Sequence, residues 1–207
     1  MSNTSLYRLP ALGVFLAVVF QVLAASRFPG GYQWNHHFIS VLFWPITPDG
    51  APNPARPLAV VGVIFFCVGM ALLFHLMSST TKTTFHKKII QTGGIGSMVY
   101  GSIAVTPLHD LMVTISLGFF LAAVFAILHL LSLQRNLRLL SFGILCLVVL
   151  LTTAVLYYNH LLFAYLPIAQ KTTFVLCTAW LFAVQYANRS MPSGQGVTQI
   201  HNAANIV

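Results

Sequence analysis

Glutamate is absent from this sequence, and Asp49 and Asp110 are the only acids among its 207 residues. Charged residues of both signs make up 6% of the chain, against 57% hydrophobic. A soluble domain carries roughly 25% charged residues, so this chain lacks the means to cover itself with a water-compatible surface. Cysteine is scarce as well. Cys67, Cys146 and Cys177 fall inside apolar segments with no C-x-x-C spacing, so they read as small buried hydrophobes, not as a disulfide or zinc framework. The histidines show neither HExxH nor HxxxH, which leaves no standard metal signature. A net charge of +8 would suggest nucleic acid in a soluble protein. Here the ten basic residues lie between long apolar runs, where they act as topology signals and contacts to anionic headgroups. No nucleic-acid partner is expected.

What remains is long apolar stretches. Crossing the hydrocarbon core takes about 20 apolar residues. Six candidate spans emerge, at about 9–26, 57–78, 89–105, 108–132, 139–158 and 172–188. The first has the look of a signal peptide, with Arg8 before an apolar run ending Leu23-Ala24-Ala25-Ser26, but it is read as a retained helix. The expected fold is therefore an all-α, six-helix membrane bundle over residues 1–189, with a flexible polar tail at 190–207. Arg8, Lys82, Lys87, Lys88, Arg135, Arg138 and Arg189 fall on one side of such a bundle, and Arg27, Arg56 and Lys171 on the other. That bias places both termini in the cytoplasm.

The third span carries Gly93, Ser97 and Gly101 four residues apart on one face, a spacing that lets helix backbones approach closely. Packing inside the bundle and a seam between two copies both use it. The next connection, Thr106-Pro107, offers a cap and a first-turn proline for the fourth span.

With this orientation every extracytoplasmic connection carries histidine at the membrane boundary. The first holds Trp34, Asn35, His36 and His37, the second His109 beside Asp110, and the third Asn159 and His160 after two tyrosines. Ser40 would share a helical face with His36. Neutral imidazole ligates metals readily, and three imidazoles with a water complete a tetrahedral zinc shell. His36, His109 and His160 are the candidate zinc ligands. In an enzyme, Ser40 and Asp110 would be the catalytic residues, and a bound zinc would activate water and polarise an ester or amide carbonyl while Asp110 or a histidine moves protons. Trp34, Asn35, His36, His37, Asn159 and His160 would line a pocket.

Each feature also has an ordinary structural explanation. Asp110 suits the first turn of a helix through the macrodipole. His160 belongs to an aromatic belt, and His36-His37 to a short interfacial helix near Asn35–Leu42 that precedes a proline-rich turn. His75, His86 and His129, toward the opposite side, read as structural. Asp49 reads as a turn acid between Pro48 and Gly50.

The run His37-Phe38-Ile39-Ser40-Val41-Leu42, the loop ending Asn53-Pro54-Ala55-Arg56, and the Pro107-Leu108-His109-Asp110 turn resemble a family of bacterial six-helix membrane proteins of unknown function. They are more distantly similar to DRAM- and Sfk-type membrane proteins. The likeness covers about residues 10–190, and it implies a six-helix bundle with a structured first outer loop in a bacterial plasma membrane. Family members often carry an acid just after the Ile-Ser pair; Val41 and Leu42 stand there instead.

Three function classes follow. The first is a protein that binds a membrane lipid, a membrane-protein partner or a second copy through an extracytoplasmic pocket. The second is a membrane hydrolase or lipid-modifying enzyme, with zinc as the cofactor such a site would take. The third is a small transporter, which the shortage of polar groups at the span midpoints disfavours.

Overall fold

The computed structural model describes Leu6, residues 8–47 and residues 49–190; the expected 190–207 tail lies almost wholly outside them. These residues are all-α. Six long helices follow in order: α1 (Leu9–Ser26), α2 (Arg56–Thr80), α3 (Thr84–Ile103), α4 (His109–Leu133), α5 (Leu137–Tyr158) and α6 (Leu166–Ser190). Two 3-10 turns, Ile39–Phe43 and Phe163–Tyr165, stand in the longer connections.

The helix ends follow local chemistry. Pro10, Pro57 and Pro167 each sit in a first turn, where the missing N–H is one that helix geometry leaves unpaired anyway. Asn136 caps α5, its Oδ1 accepting from the Leu139 N–H at 3.3 Å. The start of α4 departs from expectation. It begins at His109, with no side-chain cap on its first N–H groups, and Thr106 Oγ1 accepts only a 3.4 Å bond from the Leu108 N–H. Pro107 therefore precedes the helix.

Five helical segments are long and apolar enough to cross a membrane: α1, α2, α4, α5 and the stretch Phe163–Asn188. The exception is α3, the expected third span. It starts earlier than expected, taking in His86, Lys87 and Lys88, and its interior is rich in glycine, serine and threonine. Its neighbours explain that composition. A Cβ on Gly93 would lie 2.8 Å from the Phe119 carbonyl oxygen of α4, and one on Gly94 would overlap the Phe74 ring of α2. Ser97 is fully buried and hydrogen-bonds inward: its Oγ donates to the Gly94 carbonyl, and its carbonyl accepts from Ser116 Oγ, both at 2.8 Å. Small side chains let α3 approach both α2 and α4 closely.

A second close crossing joins α1 to α2. A Cβ on Gly13 would lie 2.9 Å from Gly69 Cα. α5 is the least enclosed helix; of its residues only Gly143 and Cys146 are buried, while Ile144, Leu145, Val148 and Val155 face outward. Trp180 of α6 ties it down, donating from Nε1 to the Leu139 carbonyl at 2.9 Å.

Two apolar clusters result. The larger joins Met70, Leu73, Phe74 and Met77 of α2 to Ile90 of α3, Ile127 and Leu131 of α4, and Trp180 and Val184 of α6. It sits toward the end where α2 finishes and α3 begins, called here the inner end. The smaller gathers Ala24, Phe28, Val41, Leu42, Phe43, Ala55 and Ala59 at the outer end, where α1 finishes and α2 begins.

Candidate functional site

The outer connection between α1 and α2 has almost no regular structure, so its backbone polar groups need other partners. Side chains supply them. Buried Asn53 aims Nδ2 at the carbonyls of Val41 (3.3 Å), Leu42 (3.2 Å) and Trp44 (2.9 Å), while its Oδ1 accepts from the Ala55 N–H at 3.0 Å. One amide thus holds both ends of the loop. Between them Ile46 and Pro52 form an antiparallel bridge, and the Gly50 N–H donates to the Thr47 carbonyl at 2.9 Å to close the turn that holds exposed Asp49.

The first half of the connection is fastened to α6. Lys171 Nζ donates to the His37 carbonyl at 2.6 Å and to the Pro167 carbonyl at 3.1 Å. It also lies 5.6 Å from the centre of the Tyr32 ring, a cation–π placement. The Tyr32 hydroxyl donates to the same His37 carbonyl at 3.0 Å, and the Ile39 N–H donates to Gln170 Oε1 at 3.0 Å. Burial pushes the Tyr32 phenol above its ordinary pKa, so it remains a hydrogen-bond donor. Phe38 adds edge contacts to Tyr157 and Phe163.

Against this geometry the expected site comes apart. His36 is exposed in a turn where its N–H and that of His37 both donate to the Gln33 carbonyl, and Asn35 is exposed beside it. The helix of this region is the 3-10 turn Ile39–Phe43, not an α-helix near Asn35–Leu42, because Phe38 is already extended. His37 is half-buried; its ring contacts Phe28 and Tyr32, and its Nδ1 accepts from the Gln33 N–H at 3.2 Å. Ser40 is half-buried within the 3-10 turn. His109 is engaged at the end of α3, its Nδ1–H donating to the Ala104 carbonyl at 2.6 Å. Asp110 accepts from the Tyr157 hydroxyl at 3.0 Å, and Thr114 and Tyr158 meet at 2.6 Å, so these groups join α4 to α5. Asn159 ends α5 by donating to the Val155 carbonyl at 2.8 Å. His160 is exposed with φ +54°, set there by the chain reversal after α5. Among the described residues no three His, Cys, Asp or Glu side chains gather as a metal shell, so His36, His109 and His160 do not form the expected zinc site. The three cysteines are buried and unbridged.

The outer groove also lies elsewhere. It has a volume of about 600 Å³ and is lined by Pro45, Pro52, Asn53, Pro54, Arg56 and Pro57, none of them among Trp34, Asn35, His36, His37, Asn159 and His160. The prolines give it stiff apolar walls, and Arg56 puts one guanidinium on its rim. Trp44 and Ile46 are exposed beside it, and Trp34 stands edge-on to Tyr32. Sequence reasoning missed Asn53, Gln170 and Lys171 as the positions that fasten the outer loop. The available signal was the isolation of Lys171 at the start of an apolar helix, where a charge needs a specific partner.

A second polar pair lies at the inner end. His86 Nε2 and His129 Nδ1 are 2.8 Å apart, with the rings stacked at 5.1 Å. Both line a groove of about 310 Å³ between α3 and α4.

No protein-family model, curated protein or solved structure matches this chain.

Proposed function

We propose that this chain is an integral membrane protein of a bacterial plasma membrane, with both termini cytoplasmic, that binds an anionic lipid headgroup at its outer loop. The observation that carries this reading is Arg56 on the rim of the proline-walled groove, beside exposed Trp44 and Ile46. Tryptophan partitions to the headgroup layer, and a guanidinium matches the paired oxygens of a phosphate. The hold of Asn53 on the Val41, Leu42 and Trp44 carbonyls supports the same reading, because a preorganised groove loses little entropy on binding. In this arrangement α3 completes a six-helix bundle, packed closely against α2 and α4 through Gly93 and Gly94.

Tryptophan fluorescence tests the reading, because Trp34 and Trp44 are exposed while Trp180 is fully buried. In vesicles, brominated phosphatidylglycerol should quench the outer tryptophans more than brominated phosphatidylcholine does, and Arg56→Gln should remove the difference. Equal quenching by the two lipids in the unmodified protein would retire the headgroup site.

A further inference from the structure

The outer ends of α4 and α5 meet in a polar group whose protons can be assigned. Asp110 is the second residue of α4, and Tyr157 and Tyr158 are the last two of α5. Thr114 Oγ1 donates to the Asp110 carbonyl at 2.7 Å, so in its 2.6 Å contact with Tyr158 the phenol is the donor. The Tyr157 hydroxyl donates to Asp110 Oδ1 at 3.0 Å. All three hydroxyl protons are thus used inside the group. What remains is acceptors alone: Asp110 Oδ2 and lone pairs on the two phenol oxygens. Asp110 is exposed, and among the described residues it has no lysine, arginine or histidine partner.

The neighbouring rings favour the same sign of charge. Tyr157 and Tyr158 stand at 82° with centroids 5.4 Å apart; Phe38 meets Tyr157 at 84°, and Phe163 meets Phe38 at 65°. Rings set at such angles do not cover all of one another's faces, and a ring face attracts cations. Tyr158 is 47% and Phe163 51% exposed, so this surface is open to a ligand. A carboxylate without a counter-ion, acceptors without donors and exposed ring faces together select a cation that donates hydrogen bonds. A primary ammonium, with three N–H donors and no acceptor, has that chemistry, whereas a trimethylammonium has no donor. The ends of membrane-spanning helices lie at the depth of the lipid headgroups, where such a cation is supplied.

We propose that this surface binds the primary ammonium of an ethanolamine phospholipid in the outer leaflet. The ammonium donates to Asp110 Oδ2 and to the Tyr158 phenol oxygen, with its charge against the exposed rings. The site shares no residue with the Arg56 groove, and neither depends on the other.

Native mass spectrometry of the full chain, released from nanodiscs holding equal phosphatidylethanolamine and phosphatidylcholine, counts retained lipids. The two headgroups carry the same charges, and only the first has N–H donors. The unmodified protein should keep phosphatidylethanolamine in preference. Asp110→Asn retains an acceptor for Tyr157, so the tie between α4 and α5 persists. It should nevertheless lower retention about tenfold, the loss expected for one charge-assisted hydrogen bond. Tyr158→Phe keeps the ring but removes an acceptor, and should lower it about threefold. Arg56→Gln should leave this lipid bound, and so should an excess of free ethanolamine. Equal retention of the two lipids by the unmodified protein would overturn the site, as would unchanged retention in Asp110→Asn. Loss of the lipid in Arg56→Gln would overturn its independence from the groove. Displacement by free ethanolamine would overturn a lipid as its occupant.

Discussion

The two ends of this bundle solve opposite problems. At the outer end, 29 residues of mostly irregular chain separate α1 from α2, and the backbone is held by side chains: Asn53 on three carbonyls, Lys171 and Tyr32 on one. At the inner end α2 and α3 are joined across only Thr81, Lys82 and Thr83, and order comes from packing of Phe74, Ile90, Ile127 and Trp180. Irregular backbone buried from water is stable only if its polar groups are satisfied within the protein. Helical backbone satisfies itself and is free to be positioned by shape. The outer end should therefore be sensitive to loss of polar atoms, and the inner end to change in volume.

The severest test acts on volume. Gly94→Val should prevent folding or cost about 3 kcal/mol or more, since the new side chain meets the buried Phe74 ring. Gly118→Ala, on the neighbouring helix with open space around it, should be neutral or stabilising by up to about 1 kcal/mol. Thermal unfolding in detergent compares the two, and equal losses would refute the close packing of α3 on α2. Next comes Asn53→Ala, which strands several buried carbonyls and should cost roughly 2–3 kcal/mol. Limited proteolysis should then cut the outer loop first; a cut at the inner end instead would reverse the comparison.

Lys171→Met and Tyr32→Phe each remove one donor to the His37 carbonyl, at about 1 kcal/mol apiece. Combining them should cost more than the sum, because the carbonyl then loses both donors. Tyr32 adds a pH effect of defined sign. Its folded-state pKa is raised by burial, so its stabilisation is complete below the ordinary phenol value near 10 and declines as pH rises above it. Stability measured from pH 8 to 11 should fall more steeply in the unmodified protein than in Tyr32→Phe. The smallest effects belong to His36→Ala and His160→Ala, exposed positions that should change stability by less than about 0.5 kcal/mol. A large loss at either would return it to the candidate site.

Helix positions were largely legible in the sequence. The expected first span, 9–26, coincides with α1, and the fifth, 139–158, starts two residues inside α5. Long apolar runs leave few alternatives once charge is this scarce. The third span was less legible, because the small residues that let α3 approach α2 and α4 closely dilute its apolar run. The outer histidines were not brought together as a metal shell for a related reason. His36, His109 and His160 share a depth, but depth does not fix which way a side chain points. His109 finds an acceptor in the carbonyl of Ala104, five residues earlier, and His160 is set outward by its left-handed backbone. Asn53 is an ordinary loop asparagine in sequence; its bonds reach back to residues 41–44 and only the fold brings these together.

By itself the sequence determined that the chain is helical, apolar and almost free of acids, because those properties follow from composition and the length of each run. Tertiary structure alone decided which polar groups meet: Lys171 with the His37 carbonyl, Asp110 with Tyr157, and His86 with His129, 43 residues apart. The physical reason is range. Hydropathy acts along a single helix and is written in consecutive residues, whereas a hydrogen bond acts over about 3 Å and depends on how separate helices rotate against one another.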